Sequence, residues 1–316
     1  MNMFSKNDND SNSNKKESSS TTIPVIDLSP WTYNNTAQPL QASLDDSQFR
    51  QAQAEVVAQV AAACRDIGFF AITGHGIPNH LVDEALAAAS NFFDQPQSIK
   101  LQYQTDDEAT YPYGFERSEN LARGKASERN NNNNNTTSQT EKEATTKSTA
   151  DSKETFSMGP DHAAAPARRL PPGLTPALTT YYHAMQQLAN TVLLPMFAVA
   201  WNLPPTWFAE RSTRHMSALR ILNYPAVSDN NNNDDDNNIR IRASAHTDYG
   251  PLTILYSGGP GLQVQKDGSN NNDDNEQGWV DVPDIPGAFI INLGDLMQRW
   301  TNGASGRATT YPLPCA

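Results

Sequence analysis

The residues best suited to chemistry in this chain are a histidine and an aspartate separated by one position, His246 and Asp248. Alternate side chains of an extended backbone project to the same side, so this imidazole and carboxylate can hold one metal ion. Two histidines and a carboxylate on one face of iron(II) leave open positions for dioxygen and a co-substrate, as in non-haem iron oxygenases. A lone His-x-Asp sequence is a weak signal, because it occurs by chance in many proteins and is more often a hydrogen-bonded loop pair.

A second candidate is Tyr224, which precedes a proline in the segment Leu222-Asn223-Tyr224-Pro225. It could simply close a strand, but a buried phenol needs a hydrogen-bonding partner, and a carboxylate would serve. His75 lies in a Gly-His-Gly turn, and we predict a structural role for it. The other histidines lack a local partner pattern and are predicted to be surface or packing residues: His80, His162, His183 and His215.

The elements that must position His246, Asp248 and Tyr224 are short, rich in β-forming residues and separated by glycine, proline or asparagine. This succession of short strands and turns predicts an antiparallel sandwich or barrel. The segments are Ala218 to Tyr224, Ile239 to Ala243, Pro251 to Tyr256, Gly261 to Gln265, Trp279 to Val282 and Ala288 to Asn292.

Helices and strands of a different pattern precede this β-rich part. Ile23 to Pro30 predicts a strand. From Gln51, apolar residues at helical spacing (Val57, Val60, Cys64 and Ile67) predict a helix that Gly68 caps, followed by a strand over Phe69 to Thr73.

Two further helices are predicted before the β-rich part begins. The first has Asn79 as its N-cap and a buried stripe of Leu81, Ala85, Ala88 and Phe92. The second is a core-packing helical block over Leu174 to Ala200.

Low-complexity segments interrupt this pattern without replacing it. We expect a disordered tail over residues 1–22 and an inserted, solvated loop over residues 123–150, because their polar residues cannot bury enough apolar surface to offset chain entropy. Shorter inserts at Ser228 to Asn238 and Asp267 to Gln277 are predicted to mark surface turns.

Bulk composition narrows the class of function. The net charge of -12 and the lack of a Lys/Arg cluster argue against nucleic acid as a partner. The longest apolar stretch is too short for a membrane span, and two cysteines in different contexts favour a reducing compartment. We therefore expect a cytoplasmic protein without a nucleic-acid or membrane partner, and we also expect it to be a monomer.

Several motifs together resemble the isopenicillin N synthase-like branch of the Fe(II)/2-oxoglutarate-dependent dioxygenases. They are the run from Ala245 to Leu255, Gly261 to Val264, Trp279 to Pro283 and Pro286 to Asp295, with upstream matches at Ile23 to Leu28, Gly68 to Pro78 and Lys153 to Gly159. Without the tail and inserts, the resemblance covers most of residues 23–303.

The resemblance implies a mixed α/β chain built on a double-stranded β-helix, or jelly-roll. Residues 23–122 would form an N-terminal dioxygenase region, residues 151–217 a helical bracing region, and residues 218–316 the jelly-roll core. It further implies that His246 and Asp248 are iron ligands, that Tyr224 helps to hold 2-oxoglutarate, and that Fe(II), 2-oxoglutarate and O2 are required.

The chain departs from this family after Thr301-Asn302-Gly303. The family continues with Ser/Thr-x-His-Arg-Val, whose histidine is the third iron ligand, and later has an Arg-x-Ser that pairs with 2-oxoglutarate. Aligning Thr309 with that Ser/Thr places Tyr311 at the histidine position, and a neutral phenol is a poor iron(II) ligand. We therefore expect a jelly-roll that is incomplete at its C-terminus, with sequence from about Thr310 onward that no longer follows the family.

The leading functional hypothesis is an oxidoreductase that couples oxidative decarboxylation of 2-oxoglutarate to hydroxylation, desaturation or ring closure of a small organic substrate. One alternative is a catalytically dead relic that still binds small molecules, which Tyr311 and the missing arginine favour. Another is an isopenicillin N synthase-type oxidase that needs no 2-oxoglutarate.

Overall fold

A computed structural model describes residues 23–32, 46–104, 113–117, 153–161, 170–224, 245–265, 279–303 and 309–312. The predicted tail, the three predicted inserts, the strand predicted at Ile239 to Ala243 and His162 lie outside these residues. Among the helices within the described ranges, none combines the length and apolar character needed to cross a lipid bilayer.

The described part of the chain contains strands and helices in mixed order, as predicted. The strands are β1 (Val25–Asp27), β2 (Phe69–Thr73), β3 (Gly114–Glu116), β4 (Glu154–Met158), β5 (Leu219–Asn223), β6 (Leu252–Leu255), β7 (Leu262–Gln265), β8 (Trp279–Asp281), β9 (Phe289–Leu293) and β10 (Thr309–Pro312). The α-helices are α1 (Ser29–Thr32), α2 (Asp46–Asp66), α3 (Asn79–Phe93), α4 (Gln97–Lys100), α5 (Thr175–Leu188), α6 (Leu194–Ala200) and α7 (Asp295–Trp300). A π-helical turn, Ala189–Leu193, joins α5 to α6, and 3-10 turns lie at Leu101–Tyr103 and Ala209–Arg211.

These strands form three sheets. The main sheet has the order β1-β2-β9-β6, the small sheet β3-β4-β5 and the third sheet β10-β7-β8. Strand β1 pairs with β2 in parallel, and the other pairings are antiparallel. Strand β2 belongs to the N-terminal region (residues 23–122), and β9 belongs to the region predicted as the jelly-roll core (residues 218–316). Both regions therefore contribute strands to the main sheet.

Alternation along the strands gives the main sheet two different faces. Phe70, Ile72 and Ile291 pack into the core formed with helices α2, α3, α5 and α6, here called the helical layer. Their neighbours Phe69 and Ile290 point the other way, into a smaller apolar cluster shared with β7 and β8 of the third sheet. The side of the main sheet opposite the helical layer is called the inner side below.

Several local predictions are confirmed, but the strand predicted over Ile23 to Pro30 is shorter, because only Val25–Asp27 is a strand and Ser29–Thr32 is helical. Strand β2 covers Phe69–Thr73 as predicted. Gly68 follows α2 with a φ of 76°, and its N–H donates to the carbonyl of Ala63 at 2.8 Å, which satisfies a carbonyl at the helix end. The predicted helical block over Leu174 to Ala200 is also helical, and its central residues are buried.

The prediction for α3 was wrong in two details. Pro78, in an extended conformation, occupies the N-cap position, and Asn79 is the first helical residue, so Asn79 does not cap the helix.

The buried stripe of α3 is also displaced from the predicted one. Val82, Ala85, Ala89, Phe92 and Phe93 are buried, whereas the predicted Leu81 and Ala88 are only partly buried. Both sets of residues satisfy helical spacing. The elements packed against α3 select the observed set, so the helix is rotated by about one residue relative to the prediction.

Candidate functional site

The predicted pair His246 and Asp248 lies together in the loop that leads into β6. His246 Nε2 and Asp248 Oδ1 are 3.8 Å apart, and both side chains are partly exposed. This separation is too long for a direct hydrogen bond. Two neighbouring ligand atoms that each bind one ion at about 2.1 Å are about 3.0–3.4 Å apart, so this pair needs only a small approach to share a metal ion.

The second carboxylate oxygen of Asp248 is held by the main sheet. Thr253 Oγ1 donates to Asp248 Oδ2 at 2.5 Å, and Asn292 Nδ2 donates to the same oxygen at 2.8 Å. Thr253 and Asn292 are directly opposite each other in the β6–β9 ladder, so their side chains project from one face. They belong to the inner side, because the intervening residues of β9, Ile291 and Leu293, face the helical layer.

The start of α7 fixes the backbone of the same loop. The N–H of Asp295 donates to the carbonyl of Asp248 at 2.8 Å, and Thr247 Oγ1 donates to Asp295 Oδ2 at 3.3 Å. The approach is so close at Gly294 that a Cβ there would meet the carbonyl oxygens of Gly250 and Asp248, the latter at 2.5 Å. Only glycine fits at this position. The turn between β9 and α7 therefore packs directly against the backbone of the His246–Asp248 loop and supports it.

Tyr224 directly follows β5 and is partly buried. Leu219 and Ile221 of β5 pack against the helical layer, so the alternation places Arg220, Leu222 and Tyr224 on the opposite face of the small sheet. The role of Tyr224 toward 2-oxoglutarate stays a prediction.

A buried ion pair anchors the end of β5 next to Tyr224. Lys100 Nζ contacts the two oxygens of Glu154 at 2.7 and 2.8 Å and donates to the carbonyl of Phe93 at 2.9 Å. The two side chains are only 7% and 13% exposed. Asn223 Nδ2 donates to Glu154 Oε2 at 3.3 Å, which connects α4, β4 and β5.

No third metal ligand joins His246 and Asp248 in the part of the chain that the structure describes, where no group of three or more His, Cys, Asp or Glu is arranged to hold a metal ion. Tyr311, predicted at the position of the third ligand, lies in β10, where it is the register partner of Gln263 in β7.

Three other histidines, His75, His183 and His215, contact protein groups. His75 packs against Phe289 with ring centroids 4.5 Å apart, and its Nδ1 accepts from the N–H of Ile77 at 3.1 Å. Its Nε2 is 2.8 Å from the carbonyl of Gly287, which fixes the tautomer as Nε2–H and supports the predicted structural role. The other contacts fit surface or packing residues: His183 with Asp161, and His215 with Ser217 and Gln186.

The sequence analysis missed the residues that position the candidate ligands. Thr253, Asn292, Gly294 and Asp295 all lie within the motifs that carried the family resemblance, but no role was assigned to them. Asn292 could have been recognised from the sequence, because the side-chain amide of an asparagine in an otherwise apolar, buried strand needs a hydrogen-bond partner.

Two family profiles match the chain. The profile described as "non-haem dioxygenase in morphine synthesis N-terminal" matches residues 23–177, and that of the "2OG-Fe(II) oxygenase superfamily" matches residues 216–311.

Curated relatives agree with these profiles. The 2-oxoglutarate-dependent dioxygenase caaD of Aspergillus niger is 30% identical over 252 residues, which cover 79% of this chain and 70% of the relative. The 2-oxoglutarate-dependent dioxygenase traH of Penicillium crustosum is 28% identical over 297 residues, covering 89% and 76% of the two chains.

Among solved structures, a full-length Neurospora crassa protein in complex with alpha-KG (2-oxoglutarate) and thymine aligns with a TM-score of 0.68. The alignment covers 92% of this chain and 79% of that structure at 20% identity, so it demonstrates a shared fold. The chain belongs to the 2OG-Fe(II) oxygenase superfamily, a family of oxidoreductases with a jelly-roll fold that use Fe(II), 2-oxoglutarate and O2.

Proposed function

We propose that this chain is a non-haem iron(II), 2-oxoglutarate-dependent dioxygenase that hydroxylates or desaturates a small organic substrate. In this proposal His246 and Asp248 hold the iron, and Tyr224 contacts 2-oxoglutarate. The observation that carries it is the arrangement of Asp248: one oxygen is fixed by Thr253 and Asn292, and the other faces His246 Nε2 at 3.8 Å.

The residues around the ligands have separable tasks. Thr253 and Asn292 hold the carboxylate in one orientation, so that a metal ion meets a preorganised oxygen. Gly294 and Asp295 keep the His246–Asp248 loop against the main sheet. Iron and 2-oxoglutarate, when bound, supply the oxidising chemistry that accompanies decarboxylation of the co-substrate.

The direct test combines metal binding with co-substrate turnover. Purified full-length protein should bind Co(II), a spectroscopic substitute for iron, and with Fe(II) it should convert 2-oxoglutarate to succinate at a slow, substrate-independent rate. His246→Ala and Asp248→Ala should each abolish both signals, because each removes a proposed ligand. His80→Ala, which removes an exposed histidine of α3, is the matched control and should retain both signals. Wild-type protein that shows neither signal would refute the proposal.

One observation favours a second function, a small-molecule-binding protein without catalysis. The described residues supply no third ligand, and β10 carries Tyr311 where the family has histidine. The informative variant is Tyr311→His. If the proposed alignment is correct, this change raises Co(II) affinity, because it adds an imidazole to the His246–Asp248 pair. Unchanged affinity would show that Tyr311 does not occupy the ligand position.

An oxidase that works without 2-oxoglutarate is distinguished by its oxygen demand. The proposed dioxygenase consumes O2 with Fe(II) only when 2-oxoglutarate is present, whereas the alternative consumes O2 in its absence once its substrate is supplied. A cytoplasmic location and a monomeric state stay predictions, and gel filtration of the same preparation tests the second.

A further inference from the structure

The strand that leads to Tyr224 ends in a polar contact. Strand β5 is paired with β4 along its whole length, and the last register pair is Asn223 with Glu154. Tyr224 is the next residue, and the structure describes the chain again only from residue 245. The Asn223–Glu154 pair is therefore the last described strand pairing before Tyr224.

Side chains reinforce this last pair. Asn223 Nδ2 donates to Glu154 Oε2, and Lys100 Nζ donates to both oxygens of the same carboxylate. The ammonium also donates to the carbonyl of Phe93 at the end of α3 and lies 5.7 Å from the centre of the Phe115 ring. All three hydrogens of the ammonium thus have acceptors. Lys100, Glu154 and Asn223 are called the polar cluster below.

The polar cluster and the Tyr224 side chain lie on opposite faces of the small sheet. Phe156 belongs to the core of the helical layer, and Ile221 packs against it. Glu154 and Asn223 are two residues away from them along β4 and β5, so alternation places these side chains on the same face. Tyr224 follows Asn223 and projects from the other face. The polar cluster therefore holds the backbone from which the tyrosine side chain projects.

Stability alone does not explain a charged pair at this place. The side chains of Lys100 and Glu154 are 7% and 13% exposed, so both charges have lost most of their water. Replacing such a pair with apolar residues of similar size is often neutral or stabilising, because desolvation offsets the attraction between the charges. A hydrogen-bonded ion pair adds one defined geometry, since its donors and acceptors must align. Such a pair suits a place where the backbone must keep one position.

We propose that the polar cluster positions Tyr224 for 2-oxoglutarate, with Glu154 as the residue that connects the cation of α4 to the end of β5. This inference rests on the proposed contact between Tyr224 and the co-substrate. Because the cluster acts through Tyr224, its loss should weaken the binding of 2-oxoglutarate and leave the turnover rate at saturation unchanged.

Asn223→Ala is the informative variant, because it removes the link to β5 and leaves both members of the Lys100–Glu154 pair in place. Dissociation constants for 2-oxoglutarate are measured by calorimetry on the full chain with Mn(II). The variant should weaken binding about three- to tenfold, the usual effect of one hydrogen bond. With Fe(II) it should raise the KM for 2-oxoglutarate by a similar factor at unchanged kcat. Asn91→Ala, which removes an exposed asparagine of α3, is the matched control and should change neither value.

A double-mutant cycle shows whether the effect passes through the tyrosine. Tyr224→Phe removes the hydroxyl group and should weaken binding of 2-oxoglutarate about tenfold, because a hydrogen bond to a charged group is lost. Asn223→Ala/Tyr224→Phe should bind as weakly as Tyr224→Phe alone, because no hydroxyl group is left to position. Additive losses would overturn the inference. So would a lower melting temperature of Asn223→Ala with unchanged affinity, which is the result of a purely structural role.

A fluorine label gives a measurement that needs neither metal nor co-substrate. In protein labelled with fluorotyrosine, the fluorine NMR signal that disappears in Tyr224→Phe belongs to Tyr224. This signal should shift or broaden in Asn223→Ala and stay unchanged in Asn91→Ala. An unchanged Tyr224 signal in Asn223→Ala would contradict the positioning role.

These measurements separate failure of this inference from failure of the proposed function. If Tyr224→Phe weakens binding of 2-oxoglutarate and Asn223→Ala does not, only the positioning role is refuted. Wild-type protein that does not bind 2-oxoglutarate with Mn(II) refutes the proposed function and, with it, the purpose assigned to the polar cluster.

Discussion

At the scale of single residues, the most informative group is the Asp248 carboxylate, because two donors restrict it to one orientation. The sequence alone could predict Asp248 as a ligand, since its spacing from His246 is local. It could not assign the donors, because Asn292 reaches Asp248 only through the pairing of β6 with β9. Residue type and spacing predict the candidate ligand, and long-range register identifies the residues that orient its side chain.

If Asp248 is a metal ligand as proposed, removing either donor should weaken metal binding while leaving the carboxylate in place. Thr253→Val and Asn292→Ala are each expected to lower Co(II) affinity about 10- to 100-fold, the usual effect of losing an outer partner of a metal ligand. The measurement is a Co(II) titration followed by absorbance, with Thr180→Val as control, because the exposed hydroxyl of Thr180 donates to the carbonyl of Pro176 in its own helix. If both variants bind Co(II) as tightly as wild type, Asp248 Oδ2 does not orient a metal ligand.

His75 should make stability depend on pH. Burial lowers the pKa of His75 below its ordinary value of 6.5, although the hydrogen bond to Gly287 opposes this shift. The folded protein therefore binds fewer protons than the unfolded chain, so the contribution is present above the ordinary pKa and is lost as pH falls through the lowered pKa. Urea unfolding between pH 7.5 and 5 should show a larger loss for wild type than for His75→Gln. Parallel losses would contradict this.

At the scale of elements, the Lys100–Glu154 pair connects the end of α4 to β4 and, through Asn223, to β5. Lys100→Met would leave the Glu154 carboxylate buried without its cation, which costs about 3–5 kcal/mol. Chemical denaturation should detect this loss, and the double variant Lys100→Met/Glu154→Gln should recover part of it. Arg65→Met is the control, because the Arg65–Asp66 pair is exposed and should contribute less than about 1 kcal/mol. A loss no larger than that of the control would show that the pair does not anchor β5.

The elements also show where prediction from sequence succeeds. Strand β2 was predicted to the residue, because an apolar run lies between Gly68 and Gly74, both of which adopt positive φ. The face of α3 was misplaced, because its apolar residues satisfy two overlapping stripes and only the partners packed against it choose between them. The hydroxyl groups of Thr155 and Ser157 in β4 are buried without a hydrogen-bond partner among the described residues. The sequence could not reveal this, since alternation gives the face of the sheet on which a side chain lies but not the groups that cover it.

At the scale of the whole molecule, strands from distant parts of the sequence alternate within the main sheet. Strand β9 lies between β2 and β6, so the sheet that orients Asp248 includes an N-terminal strand. We therefore expect cooperative unfolding: circular dichroism, which follows the helices, and tryptophan fluorescence should give coincident urea transitions. Separate transitions would indicate that the N-terminal region folds independently of the jelly-roll.

The pairing of β2 with β9 also has a consequence for synthesis on the ribosome. Phe69 emerges about 220 residues before its partner Asn292, which at about 5–20 residues per second corresponds to roughly 10–40 s. During that interval one edge of β2 lacks its neighbour and presents unpaired backbone groups to other chains. A nascent-chain holdase such as a ribosome-associated chaperone should therefore matter more for the yield of this protein than for a protein of equal size with local strand pairing.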